Sequence, residues 1–161
     1  APHIFHNLIL LVMQVFWLEF KEKDITITIS PSTKKVLIDF RTVSAVLSHI
    51  FDNMSKYCQT NTSVNIQIEK IENYIGAHFI MQSIRITDED YQHFFTENYS
   101  GHYAKMTGLA GSGIGMSMVE ELLKLNNGVI KIDRNIFPTQ GRIVGGIPYE
   151  TNRITLMFQS E

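Results

Sequence analysis

Two short stretches of this 161-residue chain hold residue types that could do chemistry together. The first is Gly111-Ser112-Gly113-Ile114-Gly115, which opens directly into Met118, Val119, Leu122 and Leu123, an apolar stripe at helical period. Glycines let backbone approach a ligand closely, and a helix start offers unpaired N–H groups at the positive end of its dipole, which suits a phosphate. The second stretch is His49 to Tyr57. At about 100° per residue, His49, Asn53 and Lys56 fall within roughly 60° of one another on a helix, with Tyr57 at the margin. A polar helical stripe is ordinarily a solvated face. A carboxamide one turn before an ammonium has a second use: Asn53 offers a hard oxygen to Mg²⁺ and Lys56 a point charge to a phosphate tail.

The elements that must position these groups follow from periodicity. Residues 3–22 read as one helix, apolar on nearly all sides from Ile4 to Phe20 and so expected to dock on this domain's sheet or on a neighbouring helix. Strands are expected over 24–30, 35–38, 63–69 and 77–86, where β-branched residues alternate with polar ones. Asp39 is placed to cap a helix over 40–58, whose Val43, Val46, Leu47, Ile50, Phe51 and Met54 share the face opposite the polar stripe. Thr87-Asp88-Glu89-Asp90 is expected to cap a short helix running to about Phe95, and capping is the expected role of Asp88 and Asp90. Residues 98–110 are polar and aperiodic and read as a mobile loop. Helix 114–126 is expected to end at Gly128, strands follow over 129–132 and 153–158, and Gly141, Gly145, Gly146 and Pro148 suggest a hairpin with a wide loop. Strands and helices intermix without strict βαβ alternation, which predicts an α/β two-layer sandwich with a mixed sheet.

Composition narrows the function classes. Charged residues are 19% and net charge is −2, which gives no electrostatic footprint for nucleic acid. The single cysteine, Cys58, rules out an internal disulfide and is expected to be a buried free thiol. The apolar segment 4–20 contains His6, Asn7, Gln14 and Glu19 and is shorter than the roughly 20 residues of a bilayer span, so no direct membrane contact is expected from it. The chain opens Ala1-Pro2, and the expectation is a piece of a longer protein. His6, His78, His93 and His102 have no metal-ligand spacing, and no Ser/His/Asp pattern or paired-carboxylate site is evident.

Val46-Leu47-Ser48-His49-Ile50-Phe51-Asp52-Asn53-Met54-Ser55-Lys56-Tyr57 resembles the N-box of the sensor histidine kinase ATP-binding domain, part of the wider group with Hsp90, gyrase B and MutL. Gly111 to Val119 resembles the G2 box, Phe94-Phe95 stands where that family has its F-box, and Gly128 to Ile132 resembles the strand after the G2 helix. The blocks match in order and spacing over about residues 20–160. The resemblance implies a Bergerat-type fold, with a mixed sheet under one layer of helices. Its cofactors would be ATP and Mg²⁺, bound between the N-box helix and the loop 98–110. Asn53 would ligate the metal, Lys56 and Tyr57 would touch phosphate or nucleotide, and Gly111, Gly113 and Gly115, with Ile114 and Met116 beside them, would cradle phosphates. His49 and Asn53 would be the catalytic pair; the family usually has asparagine at position 49, and imidazole can donate a hydrogen bond or act as a base there.

The domain organisation that follows is 1–22 as a connector to a missing dimerisation element and 23–161 as the ATP-binding domain. The implied activity is delivery of the ATP γ-phosphoryl group to a histidine on separate dimerisation helices, with a response regulator as downstream partner and a cytoplasmic location. Pro2-His3-Ile4-Phe5-His6-Asn7 resembles the phosphoacceptor motif of one histidine kinase subgroup, but two dimerisation helices do not fit between it and Asn53, so His3 is not assigned that role.

One block departs from the family. The aspartate that receives the adenine amino group is replaced by Met81, and the glycines after it by Ser83 and Arg85, a side chain able to fill the pocket. Losing a hydrogen bond to a charged acceptor is worth about 1.5–3 kcal/mol, roughly ten- to a hundredfold in affinity. A pseudokinase that binds nucleotide weakly or not at all, and serves as a protein-interaction module in a phosphorelay, is therefore the alternative expectation.

Overall fold

Alternating and helical apolar patterns sort the chain into a sheet layer and a helix layer. The structure is a computed structural model that describes residues 1–111 and 115–161. In chain order the elements are β1 (Pro2–Ile4), α1 (Phe5–Val15), α2 (Trp17–Glu22), β2 (Thr26–Ile29), β3 (Lys35–Leu37), α3 (Phe40–Tyr57), β4 (Ser63–Ile71), β5 (Tyr74–Ile84), α4 (Asp88–Gln92), α5 (His102–Met106), α6 (Gly115–Lys124), β6 (Val129–Asp133), a 3₁₀ turn (Pro138–Gln140), β7 (Arg142–Val144) and β8 (Ile147–Gln159). Among the described residues the main sheet runs β2-β4-β5-β8-β6 with β7 added to β8. The β2–β4 pair is parallel and the other pairs are antiparallel, so the sheet is mixed, as the sequence predicts.

The helix α3 is the keel. Val43, Val46, Leu47, Ile50, Phe51 and Met54 are buried at i, i+3, i+4 spacing, and the Asp39 carboxylate accepts from Thr42 N at 2.9 Å at its start. Phe51 meets Phe79 of β5 edge-on with centroids 6.0 Å apart, and Phe5 of α1 meets Phe158 of β8 at 5.5 Å. α6 adds Val119 and Leu123, while Met118 of the expected stripe is exposed. Asn126 ties the two helices together: its Oδ1 accepts from Asp39 N at 2.7 Å and its Nδ2 donates to Thr42 Oγ1 at 2.7 Å.

Four expectations are corrected. The expected first helix is a short strand, β1, paired with β3, followed by two helices that part at Phe16. The break lets Phe16 and Phe20 set their rings about Phe51, at 6.1 and 6.2 Å. α1 places Phe5, Leu8, Ile9 and Val12 in the common core. The expected aperiodic loop 98–110 contains α5, whose first amide, His102 N, is held by the Asp90 carboxylate at 3.0 Å. The residue that ends α6 in the left-handed region is Asn127 (φ 50°), with Gly128 N reaching back to Leu123 O at 2.9 Å. Gly128 is required for a different reason: a Cβ there would lie 2.7 Å from Phe158 Cε1. The β7–β8 hairpin closes through the tight pair Gly145-Gly146, both at positive φ, instead of a wide loop. Among the described residues, no helix is long and apolar enough to cross a membrane.

Candidate functional site

The polar stripe of α3 and the two ends of the glycine run, Gly111 and Gly115, border one cleft of about 460 Å³, with β5 and β8 as its floor and the α4–α5 segment along its side. His49, Asn53, Lys56 and Tyr57 line the α3 wall, and Gly111, Gly115 and Met116 line the opposite one. The approach is close. A Cβ on Gly115 would stand 3.5 Å from His49 Nδ1, and one on Gly111 would stand 3.9 Å from Lys56 Nζ. These two stretches, far apart in sequence, therefore face each other. Gly113 and Ile114, also expected in the cradle, lie outside the described residues.

The α3 wall is half-buried, so its groups are reachable yet partly shielded. Neither His49 nor Asn53 has a hydrogen-bond partner among the described residues, which leaves imidazole and carboxamide available to a ligand. Lys56 Nζ sits 2.9 Å from Asp52 one turn earlier, a solvent-accessible pair, half-buried and of small energetic weight, that keeps the ammonium at the cleft mouth. Burial pushes the Tyr57 phenol up from its ordinary value, so it serves as a neutral donor. Lys23, from the turn after α2, donates to the carbonyls of Ser55 and, at 3.4 Å, Lys56. It thereby caps the helix end that carries Lys56 and Tyr57, and desolvation lowers its own pKa.

Asp90 organises the side wall. Its Oδ1 accepts from Tyr99 Oη at 2.8 Å and His102 N at 3.0 Å, while its Oδ2 accepts from Thr87 N at 3.0 Å to complete a capping box. Burial acts to raise its pKa, but the bonds from Thr87, Tyr99 and His102 outweigh it and hold the carboxyl below the usual range. The capping role expected of Asp90 is present, and the same carboxylate also anchors α5. Asp88 instead pairs with Arg134 at 3.0 Å. Phe94 of the resemblance's F-box lines the cleft and stacks edge-on with Phe95 at 5.2 Å.

The deep wall is different in kind. Met54, Cys58, Met81, Ile84 and Ile154 line it and are all buried. Met81 of β5 lies directly opposite Asn152 of β8 in the strand register. Asn152 Nδ2 donates to Ser83 Oγ at 2.9 Å, and its Oδ1 accepts from Asn135 N at 3.0 Å. Arg85 does not fill the cleft: more than half exposed, it leans toward Glu150 at 3.8 Å. Burial pushes the Cys58 thiol up to about 12 and leaves it protonated and inert.

The donor set fits a triphosphate at the rim: two polar side chains without a partner among the described residues, an ammonium, a phenol and the backbone at Gly111 and Gly115. Among the described residues no cluster of three or more His, Cys, Asp or Glu is gathered for a metal. A divalent ion here would take the Asn53 oxygen and fill its remaining positions with phosphate oxygens and water, as Mg²⁺ commonly does. Sequence reasoning missed Asn126, Asn152, Lys23 and the anchoring half of Asp90, because each acts through residues distant in the chain.

Comparison with known proteins identifies the family and the fold. Residues 38–151 match the family of histidine kinase-, DNA gyrase B- and HSP90-like ATPases. Sensor histidine kinase YvrG of Bacillus subtilis (strain 168) is 26% identical over 88 residues, 55% of this chain; the chain spans only 15% of that relative's length. The mycobacterial sensor histidine kinase MprB superposes with a TM-score of 0.78 at 13% identity, covering 100% of this chain and 97% of that one. Full-length ShkA in complex with AMPPNP superposes at 0.75 with 15% identity, covering 100% of this chain and 31% of that one.

Proposed function

Because the chain belongs to the histidine kinase-, DNA gyrase B- and HSP90-like ATPase family, we propose that it is the ATP-binding catalytic domain of a sensor histidine kinase. The observation that carries this reading is the convergence of His49, Asn53 and Lys56 with Gly111 and Gly115 across one cleft. The solved complex of ShkA with AMPPNP supports it by fold. In this reading the γ-phosphoryl group of ATP passes to a histidine on separate dimerisation helices, in two-component signal transduction. The domain works by positioning and charge neutralisation rather than covalent chemistry. Lys56 and the amides at Gly111 and Gly115 hold phosphate oxygens, Tyr57 donates from the rim, and Met116 packs beside them. Asn53 holds the metal, and His49 donates to the terminal phosphoryl group or takes up a proton near it. Bound Mg²⁺ would supply charge neutralisation of the phosphates.

Residues 1–22 fit the role of a connector to the dimerisation element, since α1 and α2 leave Leu11, Val15, Trp17 and Leu18 exposed on the far side from the core. The phosphoacceptor helices and a response regulator are the partners this reading calls for, and the cytoplasm is the compartment that supplies ATP. One observation favours a second reading, a pseudokinase acting as an interaction module: the buried Met81 offers no charged acceptor to an adenine. Calorimetric titration with Mg-ATP separates the two. Binding that is lost in Asn53→Ala supports the kinase domain, and no heat at millimolar nucleotide supports the pseudokinase.

A further inference from the structure

The deep wall of the cleft holds three sulfurs and no charge. Met54, Cys58 and Met81 are each at most 4% exposed there, beside Ile84 and Ile154. Among the described residues, two polar side chains interrupt this surface, Ser83 and Asn152. They are bonded to each other at 2.9 Å, and Asn152 also serves Asn135 N and the Ile84 carbonyl. Among the described residues, the one buried carboxylate bordering the cleft, Asp90, already accepts from Thr87 N, Tyr99 Oη and His102 N. Among the described residues, the deep wall therefore offers a flat ring alkyl and thioether contact on its faces and no free carboxylate along its edge; the charged Arg85 at its margin leans toward Glu150.

We infer that this wall takes the base of a nucleoside triphosphate by face contact alone and does not read the base's exocyclic groups. The inference rests on the nucleotide reading above and names its substrate class more closely: purine triphosphates, with amino and keto forms bound alike. The physical reason is an asymmetry in recognition. A site built to hydrogen-bond a ligand N–H rejects the analogue lacking it by roughly 10⁴–10⁵, whereas an apolar pocket separates isosteres only weakly. Thioether–aromatic contacts add affinity regardless of what the ring edge carries. Removing the amino group of adenine would strand no protein acceptor here.

The test is calorimetric titration of the whole chain with the Mg²⁺ salts of ATP, purine riboside triphosphate (adenine without its 6-amino group), GTP and tripolyphosphate. The three nucleotides are expected to bind within about fivefold of one another, each at least about tenfold tighter than tripolyphosphate. ATP binding more than about tenfold tighter than the deaminated analogue overturns the inference while leaving the nucleotide reading in place. Tripolyphosphate matching the nucleotides also overturns it, because the deep wall would then hold no base. Binding of none of the four refutes the nucleotide reading itself, and this inference with it. Met81→Asp, checked for folding by circular dichroism, is expected to favour ATP over the deaminated analogue by about tenfold or more, with tripolyphosphate unchanged. A folded variant that gains no such preference puts the base elsewhere and overturns the inference.

Discussion

Replacing Asp90 with asparagine keeps the side chain's shape and removes one acceptor and the charge. Three donors converge on this carboxylate: Tyr99 Oη and His102 N on Oδ1, and Thr87 N on Oδ2. A carboxamide can keep the two bonds to Oδ1, but its amino group then confronts the Thr87 N–H, donor against donor. One bond to a charged acceptor is lost, worth about 1.5–3 kcal/mol, and the two survivors weaken as they become neutral. A total of about 2–3 kcal/mol is shared between the α4 capping box, where the Thr87 bond is lost, and the α5 anchor, where two bonds weaken, which predicts amide hydrogen exchange up to about 30- to 150-fold faster over residues 87–92 and 99–107. The Tyr99 phenol provides a second readout. Burial and then the Asp90 carboxylate push it up to about 12, so ultraviolet titration of Asp90→Asn is expected to bring it back toward 10. The pH dependence has a fixed sign: Asp90's folded pKa is depressed, so its contribution is present above the ordinary carboxylate value near about 4 and is lost as pH falls through the folded value. Exchange over 99–107 that changes less than about threefold, or acceleration spread evenly over the chain, would refute the anchoring argument.

Gly128→Ala forces a Cβ to 2.7 Å from Phe158 Cε1 and 2.9 Å from Leu123 Cδ2, both on buried side chains, and is expected to destabilise by about 1–3 kcal/mol, read as a lower urea midpoint at unchanged slope. Lys23→Met keeps the alkyl stem but uncaps the carbonyls of Ser55 and Lys56; a loss of about 1 kcal/mol in thermal unfolding, with weaker triphosphate binding, is expected. Cys58, whose folded pKa is raised to about 12 by burial, contributes stability that is complete below its ordinary value of 9.0 and fades as pH rises through that window. Cys58→Ala should flatten the alkaline limb of stability against pH, and native protein at pH 8 should resist iodoacetamide.

What could be read from sequence was whatever repeats locally. The spacing of Val43, Val46, Leu47, Ile50, Phe51 and Met54 identifies α3 and, by subtraction, the face that carries His49, Asn53 and Lys56. Alternation locates the strands, although β8 starts at Ile147 rather than 153, which hid Asn152 from the expected cleft. The misses share a cause: tertiary partners decided them. α5 forms where Asp90 holds its first amide, and no period in 98–110 signals that. The break at Phe16 serves the ring of Phe51, thirty-odd residues on. Gly128 was recognised as special for the wrong reason, since the left-handed residue is Asn127 and the glycine answers to Phe158. The altered positions Met81, Ser83 and Arg85 were visible at once, but that Arg85 turns toward Glu150 and leaves the cleft open needed the structure.

In the proposed function, the α3 stripe and the glycines Gly111 and Gly115 grip one triphosphate. Amide chemical-shift mapping during a titration with Mg-AMPPNP tests it most directly. Saturable shifts are expected, concentrated at Asn53, Lys56, Tyr57, Gly111 and Gly115, with smaller ones at Met81 and Asn152. Shifts confined to the outer sheet face around Glu69 and His78, or saturation with α3 silent, would contradict that grip.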